Sequence, residues 1–211
     1  MGGKLIVFEG VEGSGKTTQL QRSHEWLQSC NFLDQASVLI TREPGGTELG
    51  LELRQLLLNG HQDLIHDRAE LFLYAADRAQ HIEEMLKPQL AQGTIILCDR
   101  YTDSTVAYQG YGRGLNLALI QQLNQLATAS LESDLTLWLD VEVEIGLARA
   151  RRRGTSDRIE QADLEFHQRV QQGYQQLAKA HPSRIVRVDA SRNEVEVQAQ
   201  IQEILQERVF C

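Results

Sequence analysis

Gly10-Val11-Glu12-Gly13-Ser14-Gly15-Lys16-Thr17 fits the pattern G-x-x-x-x-G-K-[ST], and the rest of the chain is read outward from it. The apolar run Leu5–Phe8 precedes it and a helix-like segment, Thr17–Gln28, follows. Strand, glycine-rich turn and helix start are the context in which this motif cradles a phosphate chain. Glycines let successive backbone N–H groups converge on an anion. The helix N-terminus adds unsatisfied donors and partial positive charge. In that role Lys16 supplies a cation for the β- and γ-phosphates, and Thr17 a hydroxyl for Mg²⁺. Glycine-rich turns between strand and helix also serve structure alone. The complete pattern in this setting points to a nucleoside triphosphate site.

Further strand-like runs lie at Ser37–Thr41, Thr94–Cys98, Leu135–Asp140 and Arg184–Val188, with helical patterns between them. Short, continuous apolar runs are what buried parallel strands look like. The alternation predicts an α/β, P-loop NTPase-type fold: a five-stranded parallel sheet with helices on both faces. The 211 residues read as a single domain, 1–211, with a small lid inserted at about 150–160. Pro88 falls inside the helical pattern Arg68–Ala91 and removes the N–H that would bond to Glu84, which predicts a kink or two abutting helices. A formal net charge of −8 argues against non-specific nucleic-acid binding. No apolar run approaches a membrane span, and no charged-then-apolar leader opens the chain. Cys30, Cys98 and Cys211 are odd in number and far apart, as reduced thiols of a cytoplasmic protein would be, with Cys98 in the core.

Candidate site residues cluster after the strands, where ligands bind in open α/β sheets. Thr41-Arg42-Glu43-Pro44-Gly45-Gly46-Thr47 follows the second strand; Thr47 can cap the next helix, and Arg42 either reaches an anion or lies on the surface beside Glu43. Tyr74 and Arg78 are four apart on one helical face, which suits either a planar base or an ordinary core aromatic with a solvated arginine. Asp99 closes the third strand in the Walker B manner and can orient Mg²⁺, although a carboxylate there also caps helices. Arg100 then projects into the same crevice. Thr102–Gly114 gathers hydroxyls, an amide and three closing glycines, suited to holding a sugar and base or to a solvated turn. Arg149, Arg151, Arg152, Arg153 and Arg158 form the densest positive cluster of an acidic chain, which suggests a lid over phosphates.

Taken together, Phe8–Thr18, Thr41–Thr47, Leu73–Gln80, Asp99–Gly114 and Arg151–Glu160 resemble the thymidylate kinases, which move the γ-phosphoryl of ATP onto thymidine monophosphate (dTMP). The resemblance implies ATP and dTMP as partners, Mg²⁺ as cofactor, a place in dTTP synthesis, and a homodimer. It places Tyr74 on the thymine face and Arg78 at a base carbonyl. Arg42 and Arg100 fall at the acceptor phosphate, and Glu12 near the 3′-hydroxyl and metal-bound waters. Thr105 and Gln109 look like base- or sugar-side donors, and Tyr108 like the ring that crowds the 2′ position. With no arginine in the P-loop, the chain is similar to the bacterial type, in which Arg153 or Arg158 of the lid stabilises the transferring phosphoryl. The family's stacking ring is more often Phe; Phe72 lies nearby, but only Tyr74 keeps the four-residue spacing to Arg78. On this reading Lys16→Ala abolishes transfer and Arg78→Ala mainly raises the acceptor KM. A GTPase switch would need an N-K-x-D motif, which the chain lacks.

Overall fold

The computed structural model describes residues 2–30, 37–59, 65–152, 154 and 158–210. Five strands, β1 (Lys4–Glu9), β2 (Val38–Arg42), β3 (Ile95–Asp99), β4 (Leu135–Asp140) and β5 (Ile185–Asp189), pair in the order β2-β3-β1-β4-β5. Every pairing is parallel. Each strand lies within a residue of its predicted run, because continuous apolar stretches have few other places to go. Alternate side chains of β1 divide between the two faces of the sheet. Leu5 and Val7 pack with Ile82, Leu86 and Tyr101, while Ile6 and Phe8 join Leu20, Leu27, Val197, Ile201 and Leu205. At roughly 1.5–3 kcal/mol for each fully buried large apolar side chain, β1 is firmly anchored, with Leu5, Ile6, Val7 and Phe8 all fully buried. Its carboxyl end carries the glycine-rich loop.

The helices are α1 (Lys16–Ser29), α2 (Glu48–Asn59), α3 (Asp67–His81), α4 (Lys87–Ala91), α5 (Thr102–Thr105), α6 (Leu117–Thr128), α7 (Val143–Arg151), α8 (Leu164–Ala180) and α9 (Glu194–Val209). Their starts follow local chemistry. The Thr47 hydroxyl accepts from Gly50 N–H at 3.0 Å, Asn116 caps α6, and Asn193 with Glu196 forms a capping box on α9. The discontinuity expected at Pro88 takes a particular form. A π-helical turn, Ile82–Leu86, joins α3 to α4, and Lys87 N–H reaches Ile82 O five residues back. Pro88 then falls in the first turn of α4, where its missing N–H is least costly.

A second wide turn lies within Thr102–Gly114, which is helical over most of its length rather than a solvated turn. Val106–Gly112 is π-helical and continuous with α5. Gly110 and Gly112 are there for close packing: an added Cβ would sit 2.5 Å from Leu117 Cδ2 at one and 2.7 Å from Phe166 at the other. Gly13 has a similar constraint against α7. It has φ +68°, and a Cβ there would lie 1.9 Å from Gly146 O. The glycine-rich loop therefore rests on the backbone of α7.

Candidate active site

Gly15 takes a left-handed conformation (φ 92°) and starts α1 directly from the loop. Lys16 folds back over that loop: its Nζ donates to Gly10 O and Val11 O, both at 3.0 Å, and to Ser14 Oγ at 3.5 Å. Burial, and then the positive charge of Arg100, push its pKa below the usual lysine value. An arriving phosphate reverses both influences, since it pairs the ammonium and offsets Arg100.

A cavity of about 640 Å³ opens over the loop, lined by Glu12 to Gln19, Arg42, Asp99, Arg100, Arg149 and the start of α9. Asp99 Oδ2 lies 3.5 Å from the Thr17 hydroxyl, and Asp99 Oδ1 is buried with no hydrogen bond to a described residue. A carboxylate oxygen desolvated beside a hydroxyl fits a hard cation held by water and phosphate oxygens. Among the described residues no cluster of three or more His, Cys, Asp or Glu could bind a metal unaided. Arg42 is exposed on the cavity wall, and the Glu43 that follows it is buried.

Arg100 is held in a left-handed conformation, φ 73°, which costs a non-glycine residue about 1–3 kcal/mol. Its surroundings over-determine that pose. Nη1 donates to Gly10 O (3.1 Å), Ser104 Oγ (3.2 Å) and Tyr174 Oη (3.4 Å), and Nη2 pairs with Glu12. Glu9, fully buried, clamps the turn beyond: it accepts from Tyr101 N–H (2.9 Å), Ser104 N–H (3.0 Å), Ser104 Oγ (2.6 Å) and Tyr174 Oη (2.7 Å). Tyr108 donates to Glu12 at 3.0 Å and lies with its ring 4.8 Å from the Arg100 guanidinium carbon. Glu9 and Tyr174 went unnoticed in the sequence. A charged residue ending an otherwise apolar strand was the available signal for Glu9.

A smaller cavity, about 90 Å³, is lined by Tyr74, Arg78, Tyr101, Thr105, Tyr108 and Gln109, with Ile159 closing it. It brings together every residue expected on the acceptor base. Tyr74 lies on its wall, whereas Phe72 is 51% exposed. Arg78 is not a solvated arginine. Its Nε pairs with Glu43 at 2.7 Å; Nη1 donates to Thr105 Oγ1 and Asn124 Oδ1, and Nη2 to Tyr101 O. Among the described residues, four of its five N–H groups have an acceptor. Glu43 also accepts from His81 Nδ1 at 2.9 Å.

Gln109 donates one amide N–H to Glu70 at 2.8 Å and keeps a second. One expectation needs correction. Arg158 is not at the phosphate cavity: it is buried, with Nε on Leu57 O at 3.0 Å and Nη2 on Glu70, since the buried Glu70 carboxylate is a stronger local attraction than open solvent. Arg153 lies outside the described residues. Glu70, missed in the sequence, sits four and eight residues before Tyr74 and Arg78, so the same face-spacing would have found it.

Asp77 supports the loop after β2. Its Oδ1 accepts from Gly45 N–H at 3.0 Å, while Oδ2 is buried without a partner. Burial, then the nearby Glu43, raise its pKa from 3.8 to about 6. A carboxyl that protonates more readily folded than unfolded stabilises fully below the unfolded pKa. That contribution is lost as the pH climbs through the folded value. Asp77→Asn keeps the acceptor for Gly45 and removes the charge. We expect it to stabilise the protein at pH 8 by about 1–2 kcal/mol and to flatten stability across pH 4–6. Thermal unfolding across that range checks this; a lower Tm at pH 8 refutes it.

The fold and the two cavities define a P-loop phosphotransferase that receives two ligands side by side. The Thymidylate kinase family model matches residues 8–201, and the chain belongs to the thymidylate kinase family. It is 64% identical to the thymidylate kinase of Nostoc punctiforme over 207 residues, covering 97% of this chain and 96% of that one. With that of Trichodesmium erythraeum it shares 58% over 218 residues, covering 98% and 96%. The crystal structure of thymidylate kinase from Ehrlichia chaffeensis superposes with a TM-score of 0.81 at 35% identity, over 98% of this chain and all of that one.

Proposed function

We propose that this protein transfers the γ-phosphoryl of ATP to dTMP, yielding dTDP for dTTP synthesis, with residues of the two cavities in the roles that follow. One observation carries the assignment. The large and small cavities share Glu12, Glu43, Arg54 and Arg100 as a common wall, so a triphosphate over the loop and a monophosphate in the slot meet at Arg100. ATP lies in the large cavity with its phosphates on Gly10–Thr17 and its nucleoside toward Arg149 and Arg192. Thr17 and Asp99 are the residues that would hold Mg²⁺, which when bound neutralises phosphate charge.

Two anionic substrates repel, and the chain's own groups offset that. Lys16 leaves the loop carbonyls for the β- and γ-phosphates. Arg100, with Arg42, holds the acceptor phosphate in line, and the Glu12–Tyr108 pair fixes both Arg100 and the sugar side. The acceptor oxygen is already ionised, so positioning and charge stabilisation do the chemistry and no general base is assigned. Tyr74 stacks on thymine, and the remaining N–H of Arg78 meets a base carbonyl. The segment at about 150–160 acts as a lid that excludes water. It brings Arg153 to the phosphoryl.

No described helix is long and apolar enough to cross a membrane. Leu51, Leu56, Phe72, Leu119 and Leu126 are exposed on α2, α3 and α6, which pack as neighbours, and this supports a homodimer across that side; sedimentation at micromolar concentration should give twice the monomer mass.

The direct test measures ADP formation from ATP and Mg²⁺ across a panel of nucleoside monophosphates. Turnover should require an acceptor and favour dTMP, with uridine monophosphate poor because Tyr108 crowds the 2′ position. Equal turnover without any acceptor would overturn the assignment.

A further inference from the structure

Glu70 is fully buried near the start of α3, and its carboxylate joins two parts of the molecule that are far apart in sequence. Oε1 accepts from Gln109 Nε2 (2.8 Å) and Arg113 Nε (3.4 Å); Oε2 accepts from Arg113 Nη2 (3.3 Å) and Arg158 Nη2. Burial alone would make this carboxyl harder to ionise, but Arg113, Gln109 and Arg158 outweigh that and hold its pKa below 4.5. An ionised carboxylate only accepts hydrogen bonds. Facing it, Gln109 has one workable amide orientation, with nitrogen toward Glu70. The flipped orientation sets oxygen against oxygen. With one N–H on Glu70, the Gln109 amide keeps a second N–H and its carbonyl Oε1, which takes no hydrogen bond from a described residue and is the acceptor it can offer to whatever fills the slot that Gln109 lines.

That polarity distinguishes bases. Thymine offers O4 as an acceptor beside a donating N3–H, whereas cytosine has a donating amino group at the same place as O4 beside an accepting N3. A slot with an Arg78 N–H and a Gln109 oxygen matches the first edge and opposes the second at both atoms. Arg158 contributes as well: Arg158 N–H donates to Leu58 O at 3.2 Å and the next residue, Ile159, packs into the slot. The same carboxylate thus sets the polarity of the slot and holds its cover.

We propose that Glu70 is a positioning residue for acceptor selection, locking Gln109 with its carbonyl toward the base so that dTMP is taken and dCMP refused. This rests on the dTMP assignment above. Glu70→Gln keeps the shape but can donate as well as accept, so Gln109 is free to turn. The ratio of kcat/KM for dTMP over dCMP should fall at least tenfold, mostly through KM. Gln109→Met, which leaves Glu70 its two arginines, should lose the ratio similarly, and it keeps the idea testable if Glu70→Gln does not fold. In the double variant the ratio should fall no further, since Glu70 acts through Gln109. A purely structural Glu70 would lower turnover of both acceptors together. Wild-type preference retained in both single variants overturns the role of Glu70 alone. A wild-type enzyme indifferent to dTMP and dCMP overturns the dTMP reading and this proposal with it.

Discussion

Lys16→Ala should reduce phosphoryl transfer at least a thousandfold in kcat, about 4 kcal/mol of transition-state stabilisation, with little change in Tm. The ammonium is buried among the loop carbonyls of Gly10 and Val11 and beside Ser14, within a positive field that it shares with Arg100. Its charge is most valuable when negative charge spreads over the equatorial oxygens of the γ-phosphoryl, in a site where water does not screen it. Lys16→Met separates charge from packing. It fills the same channel and should be as inactive as the alanine variant, while retaining the wild-type Tm more closely. Coupled-assay kinetics at saturating ATP and dTMP measure this, and wild-type kcat in either variant would remove Lys16 from the mechanism.

Arg78→Ala should do two things at once, and the larger is on stability. Removing the guanidinium takes the Arg78 charge from the buried Glu43, which keeps its hydrogen bond with His81 Nδ1, and leaves Thr105 Oγ1, Asn124 Oδ1 and Tyr101 O without this donor. Breaking a buried pair from one side costs about 3–5 kcal/mol, or roughly 10 °C in Tm for a chain of this length. Kinetically, KM for dTMP should rise at least tenfold while KM for ATP holds, because Arg78 lines only the smaller cavity. Arg78→Lys should not restore the acceptor KM, since a point charge does not reproduce a fork bonded on both edges. Thermal unfolding and separate titrations of ATP and dTMP check the two halves. An unchanged Tm would refute the structural part, and an equal rise in both KM values would refute the placement at the acceptor.

The expectation from sequence that Arg78→Ala acts mainly on KM therefore changes, and the change shows where sequence reading stops. Five apolar runs, a complete G-x-x-x-x-G-K-T loop and a carboxylate closing the third strand are local patterns. Each constrains its own few residues, and they converge on one parallel sheet with a phosphate loop at the end of β1. The cap at Thr47 was legible because a cap bonds to residues two or three places along. Tyr74 and Arg78 were legible as a pair because helical spacing puts them on one face.

What stayed hidden depends on distance through space. Whether Arg78 is solvated or buried turns on Glu43, Tyr101 and Asn124, from a loop, the β3–α5 turn and α6. The clamp of Glu9 on the Arg100 turn joins residues more than ninety apart. Arg158 read as one of five lid arginines, but a buried carboxylate on α3, 88 positions earlier, captures it. The π-helical turns at Ile82–Leu86 and Val106–Gly112 also lie beyond periodicity, since an added residue per turn is imposed by what packs alongside. The sequence by itself thus determined the sheet, the loop and the class of chemistry, through interactions between near neighbours. Only the tertiary structure decided which charges are paired, which side chains line the smaller cavity, and which arginine of the cluster is buried on Glu70. Those outcomes follow from the desolvation of ionisable groups, which must find partners wherever the fold brings them.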